Sequence, residues 1–574
     1  MSAGIQEAGP GIRDAGDSAL LLVLEPVIDP AVNARAIGIA KVIASERIAG
    51  VRDVIPTYRS VAVHFDPLAT DVDQVRAALR RAAQTASSAR EGALIEIPAA
   101  YGGENGPDLE EVAAFAGLTP EQVVERHSSR EYRVFMLGFL PGFAYMGIVE
   151  DTIAAPRKPT PRTRIPAGSV GIAGRQTGIY PRQSPGGWQL IGRTAVQIFD
   201  PWREPASLFA PGDHVRFVRT ERIRDGGETE GIGDLGSGTK KDGVSDPRSP
   251  IPDPRRSVTV LRPGLFTTIQ DRGRWGHQDR GVPVAGPMDH YAHQLANALV
   301  GNVSGAAALE ATLVGPELRF EQLTRIAIAG ADLDASIGGS AFAVNSAGTC
   351  KPGSTLRFGE RRSGARVCIA FDGGVDVPPV LGSRATHVVS GLGGMEGRAL
   401  KAGDCLRLGR LQETASPARR EVNYMRRGSF GSASGGARLR IMRGPQDDDF
   451  DDSAFDILQR TRFVISSKSD RMGYRLAGGA EGIRPTVKGR PGSFGPGAMI
   501  SDATFSGGLQ VPPSGDPILL MADRQTTGGY PQIATVITAD LPLAGQLAPG
   551  DWIEFTLCTR GEAITALKEL QNGV

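Results

Sequence analysis

Residues 270–280 read QDRGRWGHQDR and gather Gln270, Asp271, Arg272, Arg274, His277, Gln278, Asp279 and Arg280 into one glycine-punctuated loop. Acids, bases and guanidinium groups at this density suit proton transfer beside an anion; a structural knot of salt bridges is the alternative. Three of the seven histidines, His277, His290 and His293, lie close together. His290 and His293 are spaced to share a helix face. No third ligand is spaced to complete a metal site, so no metal is assigned. A second basic loop, PRKPTPRTRIPAGSVGIAG (156–174), sets Arg157, Lys158, Arg162 and Arg164 among prolines. Arginines stiffened in this way form a fixed fork for phosphate or carboxylate, although a basic loop is usually a solvated surface.

Glycines alternating with aromatics in GFLPGFAYMG (138–147) fit either a pocket rim or a bent strand. GSRATHVVSGLGGMEGRALKAGD (382–404) has the glycine content of a phosphate cradle. It lacks the Gly-Lys-Ser/Thr of a P-loop, and glycine-rich β-turns are the favoured reading.

The elements that must position these groups are short. Gly 75 and Pro 40 in 574 residues, with 40% hydrophobic residues, favour β-rich architecture with many turns. Residues 1–16 read as a flexible tail with no signal-peptide pattern, and 17–92 as a small α+β subdomain. Residues 93–220 read as a barrel, 221–257 as a charged Gly/Pro/Ser-rich linker, and 258–411 and 438–574 as two further units around a weak break at 412–437. An internal repeat supports this division. GRQTGIYPRQSPGGW (174–188) is echoed by DRQTTGGYPQIATV (523–536), and each is followed by a second echo, LFAPGDHVRF (208–217) and QLAPGDWIEF (546–555). LKAGDCLRLG (400–409) is a third relative of that closing turn. The ordered pairs imply duplicated barrels, one before the linker and two after it.

A formal charge of +1 supplies no long-range field for nucleic acid or membrane. No apolar run is long enough to span a bilayer. The four cysteines lack metal-ligand spacing, which makes a reducing cytoplasm the simplest location.

Residues 17–220, through IPTYRSVAVHFDP, GFLPGFAYMG and PRTRIPAGSVGIAGRQTGIYPRQSPGGWQLIGRT, resemble the allophanate hydrolase subunit 1 family. That family is also known as the B subunit of 5-oxoprolinase and as the Kip inhibitor. Residues 258–558, through GLFTTIQDRGRWGHQDRGVPVAGPMDHYAHQLANALVGN, GSRATHVVSGLGGMEGR, SDRMGYRLAG and DRQTTGGYPQIATV, resemble the allophanate hydrolase subunit 2 family, the C subunit of 5-oxoprolinase or Kip antagonist. The pair is similar to the carboxyltransferase domain of urea carboxylase. The resemblance implies a mainly β fold of cyclophilin-like barrels, one in the N-terminal half and two in the C-terminal half, with a ferredoxin-like α+β cap. It implies ATP-dependent ring opening of 5-oxo-L-proline to glutamate, with ATP bringing Mg2+, and with a separate 5-oxoprolinase component of the LamB/YcsF type. The alternatives are the carboxyltransferase component of a biotin-dependent urea or amide carboxylase, and a regulator of a histidine kinase. A homo-oligomer is compatible with each. Neither a biotin-carrying Met-Lys-Met segment nor an amidase Ser-Ser-Lys signature is present.

On that resemblance, Arg162, Arg164, Arg272 and Arg280 are expected to bind the anion, and His277 or Asp289 to handle the proton. Gln176, Tyr180, Gln525 and Tyr530 are expected to position substrate between barrels, with Asn297 and Glu310 as further candidates. Asp372 stands before Gly373-Gly374 where the family is expected to have an uncharged residue.

Overall fold

The computed structural model describes residues 11–85, 92–221, 256–410, 428–429, 435–478, 482–485 and 499–572. Almost all of the expected linker, and most of the break at 412–437, lie outside them.

Residues 11–85 form the α+β cap. Strands Gly11–Asp14, Ala19–Val23, Ser60–Phe65 and Val51–Pro56 pair antiparallel in that order. Residues 11–14 are therefore an edge strand and not part of a tail, because their backbone pairs residue for residue with Leu20–Val23. Helices Pro30–Glu46 and Val72–Thr85 cover one face, where Ile39, Ile43, Val75 and Leu79 pack on Leu20, Leu22, Val61 and Val63. Strand alternation sends Ala19, Leu21 and Ala62 to the other face, against Ala503 and Phe505 of the last unit.

Two units close into seven-stranded barrels. In the first, the ring runs through Leu94–Tyr101, Gln189–Arg193, Ser169–Ala173, Gln176–Ile179, Ala144–Gly147, Glu131–Leu137 and His214–Arg219. In the last, it runs through Gly436–Arg443, Gln532–Val536, Gly508–Gln510, Ile518–Leu520, Gly473–Ala477, Phe463–Ile465 and Trp552–Leu557. The order of strands around the two rings is the same, and each ring closes by a parallel pairing of its first and last strands. The Pro-Gly-Asp turn that leads into each closing strand is thus a true repeat. The Gln-Thr…Tyr-Pro echo is out of register. Gln176 and Thr177 lie in a barrel strand, whereas Gln525 and Thr526 lie in the connection before Gln532–Val536.

The middle unit is two sheets facing one core. A six-stranded sheet and a five-stranded sheet share Val260, Leu309, Ile328, Leu356 and Ile369 in their interior. Its first and last strands, Ser257–Arg262 and Cys405–Arg407, pair antiparallel, which does not wind the sheet into the ring seen in the other units. Helix His290–Val300 packs across the five-stranded sheet. Asp372 is explained by an ion pair with Arg256 at the edge of this unit.

Candidate active site at the junction of the two halves

The motif loops meet where the cap, first barrel, middle unit and last barrel join. Positive φ at Phe139 and Gly142 folds the segment after strand Glu131–Leu137 into a tight loop. Leu137 forms a parallel bridge with Arg280, and Gly142 N–H donates to the Arg280 carbonyl at 2.9 Å. A side chain at Gly138 would collide with Thr527, and one at Gly281 with the Leu140 carbonyl. These glycines are what let three loops approach so closely.

Polar contacts lock the same junction. Asp53 of the cap accepts from Gly276 N–H (3.0 Å), Gln278 N–H (3.2 Å) and Gln278 Nε2 (3.0 Å). Gln278 Oε1 in turn accepts from Arg524 Nη2 at 2.9 Å. Asp502 of the last unit accepts from the hydroxyls of Thr57 and Ser60. Arg182 of the first barrel packs against Gly391 in the glycine-rich loop of the middle unit.

The expected site residues divide into two sets. His277, Arg280, Gln176 and Tyr180 belong to the junction or to the barrel face beside it. Burial, then Arg280 and Arg274, hold the His277 pKa below its ordinary value, and its buried Nδ1 has no hydrogen-bond partner. Neighbouring Asp279 is pushed up to about 6 by burial, with Oδ1 likewise unpartnered. His277 and Asp279, two residues apart on this loop, are the candidate proton carriers of the junction, the imidazole held neutral and the carboxyl titrating nearer neutral pH than usual. Gln176 bonds the Tyr58 hydroxyl, and Tyr180 is packed among aromatic rings. Gln525 is half-buried, one residue before the buried Thr526 and Thr527 that face the junction, and its carbonyl accepts from the Thr504 hydroxyl.

The second set is placed otherwise. Arg162 forks onto Asp108 at 2.9 and 2.6 Å, so its charge is already paired. Arg272 is exposed and bonds Ser304. Asp289 caps helix His290–Val300 through Ala292 N–H and accepts from Gln546 Nε2 at 2.6 Å. Asn297 donates to the His293 carbonyl of its own helix and ties that helix to the Ala306 carbonyl. Glu310 accepts from Met288 N–H and pairs with Arg471, which also forks onto Asp523. Asp289 through Gln546, and Glu310 through Arg471, weld the middle unit to the last barrel. Arg164 and Tyr530 are exposed on loops or strand edges.

Sequence reasoning missed Asp53, Tyr58 and Thr527, and left Tyr145 as either a pocket wall or part of a bent strand. Tyr58 sits in the quoted IPTYRS phrase and Tyr145 in GFLPGFAYMG, so the motifs were visible, but the contact between them is tertiary. Among the described residues, no group of three or more His, Cys, Asp or Glu side chains could hold a metal ion. Among them also, no helix is long and apolar enough to cross a membrane.

Two barrels of identical strand order, joined through a middle sandwich with their motif loops converging, define a cyclophilin-like fold of the carboxyltransferase type. The family described as "Carboxyltransferase domain, subdomain C and D" matches residues 10–209, and "Carboxyltransferase domain, subdomain A and B" matches residues 280–557. The chain is 42% identical to the B subunit of 5-oxoprolinase from Bacillus subtilis, over 36% of this chain and 92% of that protein. It is 36% identical to the C subunit of 5-oxoprolinase from Escherichia coli, over 55% of this chain and 96% of that protein. Urea amidolyase of Saccharomyces cerevisiae is 33% identical over 55% of this chain but only 17% of its own length. The crystal structure of TTHA0988 aligns with 95% of this chain and 100% of its own, at 34% identity and a TM-score of 0.75. The chain belongs to the families of the B and C subunits of 5-oxoprolinase, fused in one polypeptide.

Proposed function

We propose that this chain is the fused B and C component of an ATP-dependent 5-oxoprolinase, working in the cytoplasm with a separate LamB/YcsF-type protein. The observation that carries the reading is the junction. Residues of the B-like half (Asp53, Gly138, Gly142) contact residues of the C-like half (Gln278, Arg280, Thr527), which supports a shared site that neither half completes alone. Near-full coverage of relatives named for both subunits supports it. Fusion then holds two required parts at high effective concentration.

A lactam is a poor electrophile. Transfer of the γ-phosphoryl group of ATP to the lactam oxygen makes C5 attackable and turns that oxygen into part of a leaving group. Water adds at C5, and the C–N bond breaks with a proton delivered to nitrogen. A second water attacks the resulting acyl carbon and releases glutamate, with phosphate leaving on the former lactam oxygen. In this reading His277 and Asp279 move protons, while Arg280 supplies positive charge. Arg164, exposed on strand Arg162–Ile165, is a further cation for phosphate, with Mg2+ accompanying the nucleotide.

The test is glutamate formation from ATP and 5-oxo-L-proline by the purified chain with a LamB/YcsF-type protein. Glutamate formed only when both proteins are present is the expected result. No glutamate with all components contradicts the proposal. Carboxyl transfer to urea or another amide is the second reading, favoured by the carboxyltransferase family match.

A further inference from the structure

The outer face of the first barrel carries an aromatic cluster that the reaction scheme above does not use. Phe143 stands edge-on to Tyr145, Tyr180 and Trp188, with centroids 5.0, 5.3 and 5.4 Å away. Tyr58 from the cap joins it at 6.4 Å from Tyr145. Aliphatic Met136, Ile165, Leu190 and Ile500 back the rings, and two glycines leave the rings room. A side chain at Gly178 would press on Trp188 and Phe143, and one at Gly186 on the Tyr180 hydroxyl.

Three features point to a ligand. Gln176 is 3% exposed; one end of its amide bonds the Tyr58 hydroxyl, and the other end, Oε1, has no partner. An unmet buried amide atom is costly, whichever way the amide is turned. Thr527 Oγ1, also buried, faces the Tyr145 hydroxyl without satisfactory hydrogen-bond geometry. The third feature is Arg157. Its loop is stitched beside Trp188 by Lys158 N–H to the Gly187 carbonyl (2.8 Å) and by Gln189 Nε2 to the Pro156 carbonyl (3.2 Å). Its guanidinium is within electrostatic reach of the hydroxyls of Tyr58, Tyr145 and Tyr180. Burial raises all three phenols above their ordinary range, so each keeps its proton and can donate.

We propose that this aromatic face is the subsite for a small planar amide bearing a carboxylate, with Gln176 pairing the amide and Arg157 selecting the carboxylate. Flat rings cover the faces of a small lactam, Gln176 meets its N–H, phenols meet its carbonyl, and a cation at the rim separates an amino-acid lactam from a bare one. The inference rests on the proposed function for the identity of the substrate, and it makes Arg157 a specificity-determining residue.

Calorimetric titration of the full chain, with and without the LamB/YcsF-type protein, tests it. The probes are 5-oxo-L-proline and 2-pyrrolidinone, the same lactam without a carboxylate. The wild-type chain is expected to bind 5-oxo-L-proline the more tightly. R157M is expected to weaken 5-oxo-L-proline by about tenfold or more while leaving 2-pyrrolidinone unchanged. Because Arg157 is exposed, the variant should fold normally, which an unchanged Tm verifies. Gln176→Glu, similar in size, is expected to weaken both lactams. Equal affinity of R157M and wild type for 5-oxo-L-proline, or no binding to the wild-type chain under either condition, would overturn the subsite. The two claims fail separately. The binding pattern without any glutamate formation leaves the subsite standing and removes the ring-opening reaction. Glutamate formation with an unchanged KM in R157M does the reverse.

Discussion

Asp53 and Gln278 stand 225 positions apart in sequence, yet the carboxylate of one receives both the backbone and the side-chain N–H of the other. This contact joins the cap to the middle unit, and Arg524 extends it to the last barrel. Asp53→Ala should strand the buried backbone and side-chain donors of Gln278 and release Gly276 N–H. The expected loss is about 2–4 kcal/mol of stability, read by urea unfolding of the full chain. Activity should fall further than the folded fraction, since the loop carrying His277 is anchored here. A variant with unchanged stability and turnover would show that the latch is idle.

Arg471 is the second weld. Removing it leaves Glu310 and Asp523 as two buried carboxylates facing the same gap. Arg471→Met is expected to destabilise by about 3–5 kcal/mol, and E310Q by less, because a neutral amide still accepts from Met288. Thermal melting of the two variants gives the comparison.

Asp289 separates a catalytic from a structural role. Its carboxylate is spent on a helix cap and on Gln546. D289N should lower Tm modestly, at a cost of about 1 kcal/mol, while turnover per folded molecule stays near wild type. A loss of turnover by a factor of about 100 in a fully folded variant would return Asp289 to the proton-transfer chemistry.

Acid should loosen the fold from a definable direction. His127 is buried between the Tyr101 hydroxyl and Thr177 Oγ1, each 2.9 Å away. Burial pushes its pKa down to about 3, and that of His290 to about 4, from 6.5. Between those values and 6.5 the folded chain binds fewer protons than the unfolded one, so their contribution is fully present above 6.5 and is lost as pH falls. Each group contributes up to about 1.4 kcal/mol per pH unit. Asp279, raised to about 6 by burial, runs the other way and favours the fold as pH drops from about 6 towards 3.8. Urea midpoints should therefore decline between about pH 7 and about pH 5, less steeply in His127→Gln.

Much of this organisation was legible in the chain. The cap followed from the α+β pattern of residues 17–92. The repeat of closing turns led to three barrels; the first and last close with one strand order, whereas the middle unit is two facing sheets. What stayed hidden is what depends on contact between distant segments. Arg162 looked like a free fork until Asp108 took both its arms. Glu310 and Asp289 share a polar stretch with His277, but only the packing of the last barrel shows that they are consumed by Arg471 and Gln546. The Tyr58–Gln176 pair joins phrases from the cap and the barrel, and no spacing within either phrase encodes it.

The most direct test of the proposed chemistry follows one oxygen atom. 5-Oxo-L-proline labelled with 18O in its lactam carbonyl would be turned over by the chain with ATP and the LamB/YcsF-type protein, and the released phosphate analysed by mass. Activation through the lactam oxygen puts that label into inorganic phosphate. Glutamate that retains all the label, beside unlabelled phosphate, would contradict it.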